Sequence, residues 1–172
     1  GSDGTGAEDI ILPGGGVARP LTHERLDANE YNVKMNGRNV FRFATRIMNT
    51  ALDEALDDAG MSVDDIDLFV PHQANARIIE YAANEAGLPH EKVVVNVDRY
   101  GNTSAASVPL ALSEAFDDGR AKPGDTIALV AFGAGLTWAA AIVQLSADMP
   151  ALDAVTQEDT GDVRTALRPA EA

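Results

Sequence analysis

The sequence predicts an α/β domain in which helices pack on a mixed sheet. Short apolar runs of strand length alternate along the chain with longer segments whose apolar residues recur every three or four positions. The predicted strands cover 10–12, 66–70, 93–97, 127–132 and 138–145, and the predicted helices cover 36–60, 73–86 and 104–118. Because strands alternate with helices until the last two strands, the sheet is expected to be parallel or mixed.

The 36–60 segment carries the clearest helical signal. Its apolar residues lie on one face: Phe41, Ala44, Met48, Leu52, Ala55 and Ala59. Asn36 or Asn39 is expected to cap the first turn, and Gly60 lies where a left-handed residue commonly ends a helix. Upstream, residues 18–34 show no clear period and are predicted to form a loop.

The later strands differ in their expected environments. The run 93–97 is apolar almost throughout, which predicts a strand buried on both faces. Gly133-Ala134-Gly135 joins the last two strands, which predicts an antiparallel pair. From residue 147 onward Asp, Glu, Thr, Ala and Pro dominate, so the folded domain is predicted to cover 1–146 and an acidic, poorly ordered tail 147–172.

Composition excludes several classes of function. The net charge of -14 argues against nucleic acid or an anionic membrane as partners. The chain has no cysteine, so it contains no disulfide, thiolate metal site or cysteine nucleophile. No His, Asp and Glu spacing indicates a metal site. No apolar run is long enough to cross a bilayer and no cationic leader precedes one, so a cytoplasmic protein is expected.

A histidine and an asparagine follow two of the predicted strands. His72 comes after the 66–70 strand and opens the 73–86 helix, whose N-terminus favours a neutral imidazole. Asn102 follows the 93–97 strand. Reacting groups collect at the carboxyl ends of strands in α/β sheets, where an imidazole and an amide can both donate to one carbonyl oxygen. The residues alone leave two alternatives open, a structural histidine and a helix-capping asparagine.

Two motifs resemble one family of enzymes. Val70 to Arg77 and Gly101 to Pro109 are similar, residue for residue, to the His and Asn motifs of β-ketoacyl-acyl-carrier-protein synthase III, a thiolase-fold condensing enzyme. The resemblance extends from about residue 1 to 145 and covers only the C-terminal half of that enzyme. It implies one half of the duplicated thiolase-like fold. The family uses a Cys-His-Asn set, so the cysteine must come from an N-terminal half.

The resemblance implies an acyltransferase of fatty acid biosynthesis. The complete enzyme would join an acyl-CoA primer to malonyl-acyl-carrier protein in a decarboxylative Claisen condensation, with His72 and Asn102 as the catalytic residues that stabilise the enolate. It would need no cofactor, because coenzyme A and phosphopantetheine arrive with the substrates. The expected partners are acyl carrier protein, acyl-CoA, the cysteine-bearing half and a second copy in a homodimer. This chain alone is expected to be inactive.

The resemblance also implies roles for residues outside the pair. It assigns substrate binding to six positions: Arg38, Asn75, Phe132, Gly133, Ala134 and Gly135. It assigns carrier-protein docking to Arg42 and Arg77. Two plainer interpretations remain, because exposed arginines are commonly just solvated and Phe132 is a natural core aromatic.

Two alternatives belong to other functional classes. The chain could be a subunit of a heteromeric condensing enzyme of polyketide or signalling-molecule synthesis, with the cysteine on a partner. It could also be a non-catalytic binding module that retains the fold. The presence of a cysteine-bearing partner discriminates among the three hypotheses.

Overall fold

The computed structural model describes residues 1–148. The helices are α1 (His23–Asp27), α2 (Gly37–Ala59), α3 (Ala76–Glu85), α4 (Val97–Tyr100) and α5 (Ser107–Asp117). The strands are β1 (Ile10–Ile11), β2 (Lys34–Met35), β3 (Leu68–Pro71), β4 (Thr126–Gly133) and β5 (Thr137–Gln144). Within the described part of the chain, no helix is both long and apolar enough to span a membrane.

The predicted mixed sheet is confirmed. Its strand order is β3-β4-β5, with β3 parallel to β4 and β4 antiparallel to β5. Pro71 pairs with Val130, and Phe132 pairs with Trp138 across the hairpin. Since β3 and β4 are parallel, both end at the same edge of the sheet. This edge carries His72, just beyond β3, and the Gly133–Gly135 loop, at the end of β4.

Helix α2 begins and ends where the sequence predicted. The Asn36 side chain accepts a hydrogen bond from the Asn39 backbone N–H, and Gly60 ends the helix with φ of 66°. The apolar face of α2 packs on one side of the sheet. There the Phe43 ring meets Phe132 and Trp138 edge-on, with centroid distances of 6.2 and 5.9 Å. Helix α2 therefore packs on the end of β4 and the start of β5, next to the loop that joins these strands.

The opposite side of the sheet is only partly covered. Helix α5 packs Ala111 and Ala115 against Leu68 and Val70 of β3. On β5, side chains alternate between the α2 side and the solvent, as the two-residue period of a strand requires. The exposed residues of that strand include Thr137, Ala139, Ala141 and Val143. An apolar strip of β5 thus lies uncovered beside α5.

The predicted strand at 93–97 is wrong. Only Val93 forms a bridge, with Phe69, and Val94 N–H donates to the Phe69 carbonyl at 2.9 Å. The ladder stops because the next backbone donors are taken: Asn96 and Val97 both donate their N–H to the Gln73 side chain. Val97 then begins α4.

Three further elements differ from the prediction. The helix predicted at 73–86 begins at Ala76, because Gln73 is drawn into the core and Asn75 caps the helix instead. The predicted loop at 18–34 contains the short helix α1, capped by the Thr22 side chain. The helix predicted at 104–118 is present as a 3-10 turn followed by α5. The predicted tail lies outside the described residues from 149 onward.

Candidate active site

His72 lies in the turn after β3 and is only 9% exposed. Its Nδ1 is 2.5 Å from the Ser107 hydroxyl oxygen at the start of α5. The Phe132 ring meets the imidazole edge-on, with a centroid distance of 5.4 Å and an interplanar angle of 80°. The ring is therefore held from two sides, by a hydroxyl group from α5 and by an aromatic side chain from β4.

Burial lowers the pKa of His72 below its ordinary value, because removing the ring from water disfavours its charged form. A neutral imidazole is thus expected near pH 7. The sequence also predicted a neutral imidazole, but it attributed the neutral form to a helix N-terminus next to His72. That helix begins four residues later, at Ala76, so burial is the cause instead. A neutral ring has one N–H and can donate one hydrogen bond.

The second ring nitrogen of His72 is available to a ligand. Within residues 1–148, the imidazole makes one hydrogen bond, and it uses Nδ1. In this part of the chain, the side-chain polar atoms that are fully buried and lack a hydrogen-bond partner belong to Asn49 alone. His72 Nε2 also lacks a partner but is not fully buried. Nε2 is therefore unbonded but accessible.

Asn102 lies in an exposed turn between α4 and α5. Gly101 precedes it with φ of 67° and ψ of -162°, a conformation that is essentially restricted to glycine. The Asn102 Oδ1 accepts a hydrogen bond from the Ser104 backbone N–H at 2.9 Å. Asn102 can cap the turn and donate a hydrogen bond at the same time. Its oxygen accepts from the Ser104 N–H, and its NH₂ group remains available to donate to another partner.

Gln73 joins the end of β3, which precedes His72, to the start of α4, the helix that leads to Asn102. Its carboxamide is 1% exposed and uses all four of its hydrogen-bonding positions. The NH₂ group donates to the carbonyls of Pro71 and Val94 at 2.8 and 3.0 Å. The Oε1 atom accepts from the N–H groups of Asn96 and Val97 at 2.9 and 3.2 Å. One side chain therefore sets the distance between the end of β3 and the start of α4.

Glu114 of α5 holds the other side of α4. It accepts two hydrogen bonds from the Arg99 guanidinium, at 2.9 and 2.8 Å, and one from the Tyr100 hydroxyl at 2.6 Å. Asn96 donates to it at 2.8 Å. These hydrogen bonds, first that from Tyr100 and then that from Asn96, lower the pKa of Glu114. The carboxylate thus anchors the helix that leads into Gly101 and Asn102.

The structure places Phe132 beside His72, and the Gly133–Gly135 loop follows Phe132 in the chain. Phe132 is buried, and Ala134 and Gly135 are exposed. Gly135 has φ of 139°, and a Cβ there would come within 2.6 Å of the Thr137 side chain. Ala134 is not among the residues with positive φ. An alanine at this position is therefore compatible with the loop conformation.

The predicted arginines form a separate group where the start of α2 meets the start of α3. Arg38, Arg42 and Arg77 line a surface pocket of about 630 Å³ together with Gly37 and Phe41. The Arg77 guanidinium lies 5.8 Å from the centre of the Phe41 ring. This cluster, here called the arginine face, is an exposed basic patch on an acidic protein.

Asn75 borders the arginine face through its neighbour Arg77. Its side-chain oxygen caps α3 by accepting from the Arg77 N–H at 2.9 Å. The sequence analysis missed Arg46, which lies one turn of α2 beyond Arg42 and lines a second pocket with it. The four-residue spacing of Arg38, Arg42 and Arg46 was the signal that could have revealed it.

Three other positions had no role in the sequence analysis: Gln73, Ser107 and Glu114. Ser107 carried a readable signal, because it shares the buried stripe of α5 with Ala111 and Ala115. A hydroxyl on an apolar helix face needs a buried partner. Gln73 and Glu114 gave no such signal, since their partners come from distant segments. In the described part of the chain, no group of three His, Asp or Glu side chains is arranged to hold a metal ion.

The mixed sheet with its packed helices is similar to one half of the thiolase-like fold of solved condensing enzymes. Residues 56–145 match the model of the family described as 3-oxoacyl-[acyl-carrier-protein] synthase III C terminal. The chain belongs to this family. A β-ketoacyl-[acyl-carrier-protein] synthase III of Caldanaerobacter subterraneus is 48% identical over 146 residues, which cover 85% of this chain and 44% of that protein.

Solved structures show the same relationship. The β-ketoacyl-[acyl carrier protein] synthase III of Thermus thermophilus has a TM-score of 0.73 and 52% identity, over 86% of this chain and 44% of that one. The priming β-ketosynthase of the R1128 polyketide biosynthetic pathway has a TM-score of 0.71 and 35% identity, over 85% and 43%. The chain therefore spans less than half the length of the relatives that it matches.

Proposed function

We propose that this chain is the C-terminal catalytic half of a decarboxylative Claisen-condensing acyltransferase. The complete enzyme would join an acyl-CoA primer to malonyl-acyl-carrier protein. The observation that carries the proposal is the setting of His72, which is buried and bonded through Nδ1 while Nε2 remains accessible, and whose pKa is lowered by burial. A neutral donor in a dry setting is suited to an oxygen that gains negative charge during the reaction.

The reaction would proceed in two stages. A cysteine of the N-terminal half first takes the acyl group from acyl-CoA and releases coenzyme A. Malonyl-carrier protein then binds with its thioester oxygen between His72 and Asn102. Loss of CO₂ leaves the electron pair of the broken bond on the enolate, whose oxygen accepts from His72 Nε2–H and the Asn102 amide. The enolate carbon attacks the acyl-cysteine and expels the thiolate, which yields a β-ketoacyl thioester.

Uncovered apolar surface supports a partner half. Besides the β5 strip, the first 35 residues expose large apolar side chains: Leu12, Val17, Leu21, Leu26, Tyr31, Val33 and Met35. Apolar surface of this extent commonly marks an interface. We propose that the cysteine-bearing half covers it, and that the complete enzyme forms a homodimer. Without that half, the chain has no nucleophile and is expected to be inactive.

The direct test of the role of His72 is a decarboxylation assay. In the complex of this chain with a cysteine-bearing N-terminal half, His72→Ala is expected to slow CO₂ release from malonyl-carrier protein by about 10²–10³-fold, the usual effect of losing one such donor. The matched control is His90→Ala, because His90 is an exposed histidine. An unchanged rate in His72→Ala would refute the assignment.

We further propose that the arginine face docks the acidic carrier protein and its phosphopantetheine. Arg42 and Arg77 would contact the carrier, while Arg38 and Asn75 would lie along the pantetheine or coenzyme A path. A basic patch on a protein of net charge -14 steers an acidic partner to one place. Loss of a rim charge mainly slows association.

The docking proposal predicts a change in KM. The double variant Arg42→Ala/Arg77→Ala is expected to raise KM for malonyl-carrier protein about tenfold at low salt, with kcat nearly unchanged, because the charges act on the encounter. The control is Arg19→Ala, an exposed arginine paired with Glu30. A KM that stays the same in the double variant, or that rises equally in the double variant and in Arg19→Ala, contradicts docking at this face.

A role in polyketide priming is the second candidate. It is supported by the similarity to the R1128 priming ketosynthase, at 35% identity and a TM-score of 0.71. The two pathways differ in the primer and carrier they use, and not in the His72–Asn102 chemistry. Comparing short straight-chain and branched acyl-CoA primers with fatty-acid and polyketide carrier proteins in the same complex separates them.

A further inference from the structure

We propose that Ser107 is a positioning residue that fixes the tautomer of His72, by donating its hydroxyl hydrogen to Nδ1 so that the ring proton resides on Nε2. The catalytic significance of this contact rests on the function proposed above. The contact itself, and the tautomer that it selects, are properties of the chain alone.

The Ser107 hydroxyl has two neighbours with which it can form hydrogen bonds. Ser107 is 1% exposed, so water does not compete for it. Its Oγ lies 2.5 Å from His72 Nδ1 and 3.3 Å from the backbone nitrogen of Gln73. A backbone N–H can only donate. The hydroxyl oxygen therefore accepts from Gln73, and its single hydrogen is left for another partner.

Only one arrangement satisfies all three groups. If Nδ1 carried the proton, the hydroxyl would accept from both His72 and Gln73, and its own hydrogen would need a further acceptor. Within residues 1–148, the Ser107 hydroxyl has no other hydrogen-bond partner. A buried hydrogen without an acceptor carries a desolvation penalty. If the hydroxyl donates to Nδ1, every group is paired and the ring proton must lie on Nε2.

This tautomer is the one that the proposed chemistry needs. Nε2 is the accessible nitrogen, and in the opposite tautomer it would be an acceptor facing a substrate oxygen. Two acceptors repel, so the enolate would lose one of its two donors. Ser107 also follows Asn102 by five residues at the start of α5. The same helix start therefore orients the histidine and ends the turn that presents the asparagine.

The tautomer can be measured directly by NMR on the chain labelled with ¹⁵N-histidine. The ring signals of His72 are those that disappear in His72→Ala, which separates them from His23 and His90. At neutral pH, we expect a protonated, pyrrole-type Nε2 and an unprotonated, pyridine-type Nδ1. In Ser107→Ala, both signals should move toward the average of the two tautomers, while Ser107→Thr, which keeps the hydroxyl, should restore the original pair.

Controls separate this proposal from a general structural effect. Ser113→Ala removes an exposed hydroxyl from the same helix and should leave the His72 signals unchanged. A wild-type ring protonated on Nδ1, or His72 signals that do not move in Ser107→Ala, would overturn the proposal. If the threonine of Ser107→Thr is too large for this buried site, the His72 ring signals of Ser107→Ala and Ser113→Ala still test the proposal. The signals should move only in Ser107→Ala.

An activity measurement tests the functional consequence separately. In the complex with a cysteine-bearing half, Ser107→Ala is expected to lower kcat about tenfold, the equivalent of one ordinary hydrogen bond, with KM unchanged. An altered tautomer with unaltered kcat would refute the catalytic significance of Ser107. An inactive wild-type complex whose His72 still shows the Nε2–H tautomer would refute the proposed function and leave the tautomer assignment intact.

Discussion

The two members of the proposed oxyanion pair are held in opposite ways. His72 is buried, packed against Phe132 and bonded to Ser107. Asn102 is exposed, and one hydrogen bond to the Ser104 backbone fixes its side chain. The histidine is oriented by side chains from other elements, whereas the asparagine is oriented by the backbone of its own turn.

The backbone conformation of its turn orients the Asn102 side chain, whereas packing orients the His72 ring. Gly101 has the glycine-restricted conformation described above, and Ser104 has φ of 56°, which is uncommon for a residue with a side chain. Unusual backbone conformations persist only where the surroundings determine them. Here those surroundings are the hydrogen bonds of Gln73 and Glu114 to α4. The exposed member of the pair thus depends on a buried carboxamide, that of Gln73, and on a partly exposed carboxylate, that of Glu114.

The largest expected effect on stability comes from breaking the link between the end of β3 and the start of α4. Gln73→Met keeps a similar shape but leaves four backbone groups without their partner. At a few kcal/mol or less for each, the free energy of unfolding should fall by roughly 4 kcal/mol. Urea unfolding measures it. Gln144→Met, at the exposed end of β5, is the control and should change the midpoint little; equal midpoints for the two variants would contradict the role of Gln73.

A smaller stability effect but a large rate effect is expected at Asn102. Asn102→Asp keeps an oxygen to accept from Ser104 and removes the NH₂ donor. Stability should therefore change by less than about 1 kcal/mol, whereas malonyl decarboxylation in the complex should fall about 10²–10³-fold. Asn102→Ala, which removes both functions, is the companion variant. Full activity in Asn102→Asp would mean that the side chain is only a cap.

A moderate loss of stability, without a direct loss of a catalytic group, is expected from changing the backbone alone. Gly101→Ala places a Cβ at a position where nothing lies within 4 Å, so any cost arises from the dihedral angles and not from a clash. We expect a loss of about 1–3 kcal/mol in unfolding free energy. Gly4→Ala, which is equally uncrowded and has no positive φ, is the control. A neutral Gly101→Ala would show that the turn tolerates another conformation.

Periodicity and capping residues were enough to predict the local elements. Helix α2, with its Asn36 cap and its Gly60 terminus, and the antiparallel β4–β5 pair were confirmed. These features depend on neighbours along the chain. The strand expected at 93–97 was wrong for a non-local reason, because Gln73, some twenty residues earlier, takes the backbone donors that would have continued the ladder.

In the candidate site too, features that depend on the local sequence could be predicted, and features that depend on distant segments could not. His72 and Asn102 could be selected from motifs, since each follows an apolar run and carries a distinctive polar side chain. The roles of Gln73 and Glu114 could not, because a carboxamide or a carboxylate reveals its partners only after the chain has folded. Ser107 lies between these cases: its place on an apolar helix face was visible, but the identity of its partner was not.

The most direct test of the account is reconstitution. This chain, the N-terminal half of the Caldanaerobacter subterraneus relative, and their mixture would each be assayed with acyl-CoA and malonyl-carrier protein, with native mass spectrometry of the mixture. We predict a heteromeric complex that forms a β-ketoacyl product, with neither half active alone. Product formation by this chain alone, or a stable complex without any product, would contradict the claim that His72 and Asn102 serve a cysteine on another half.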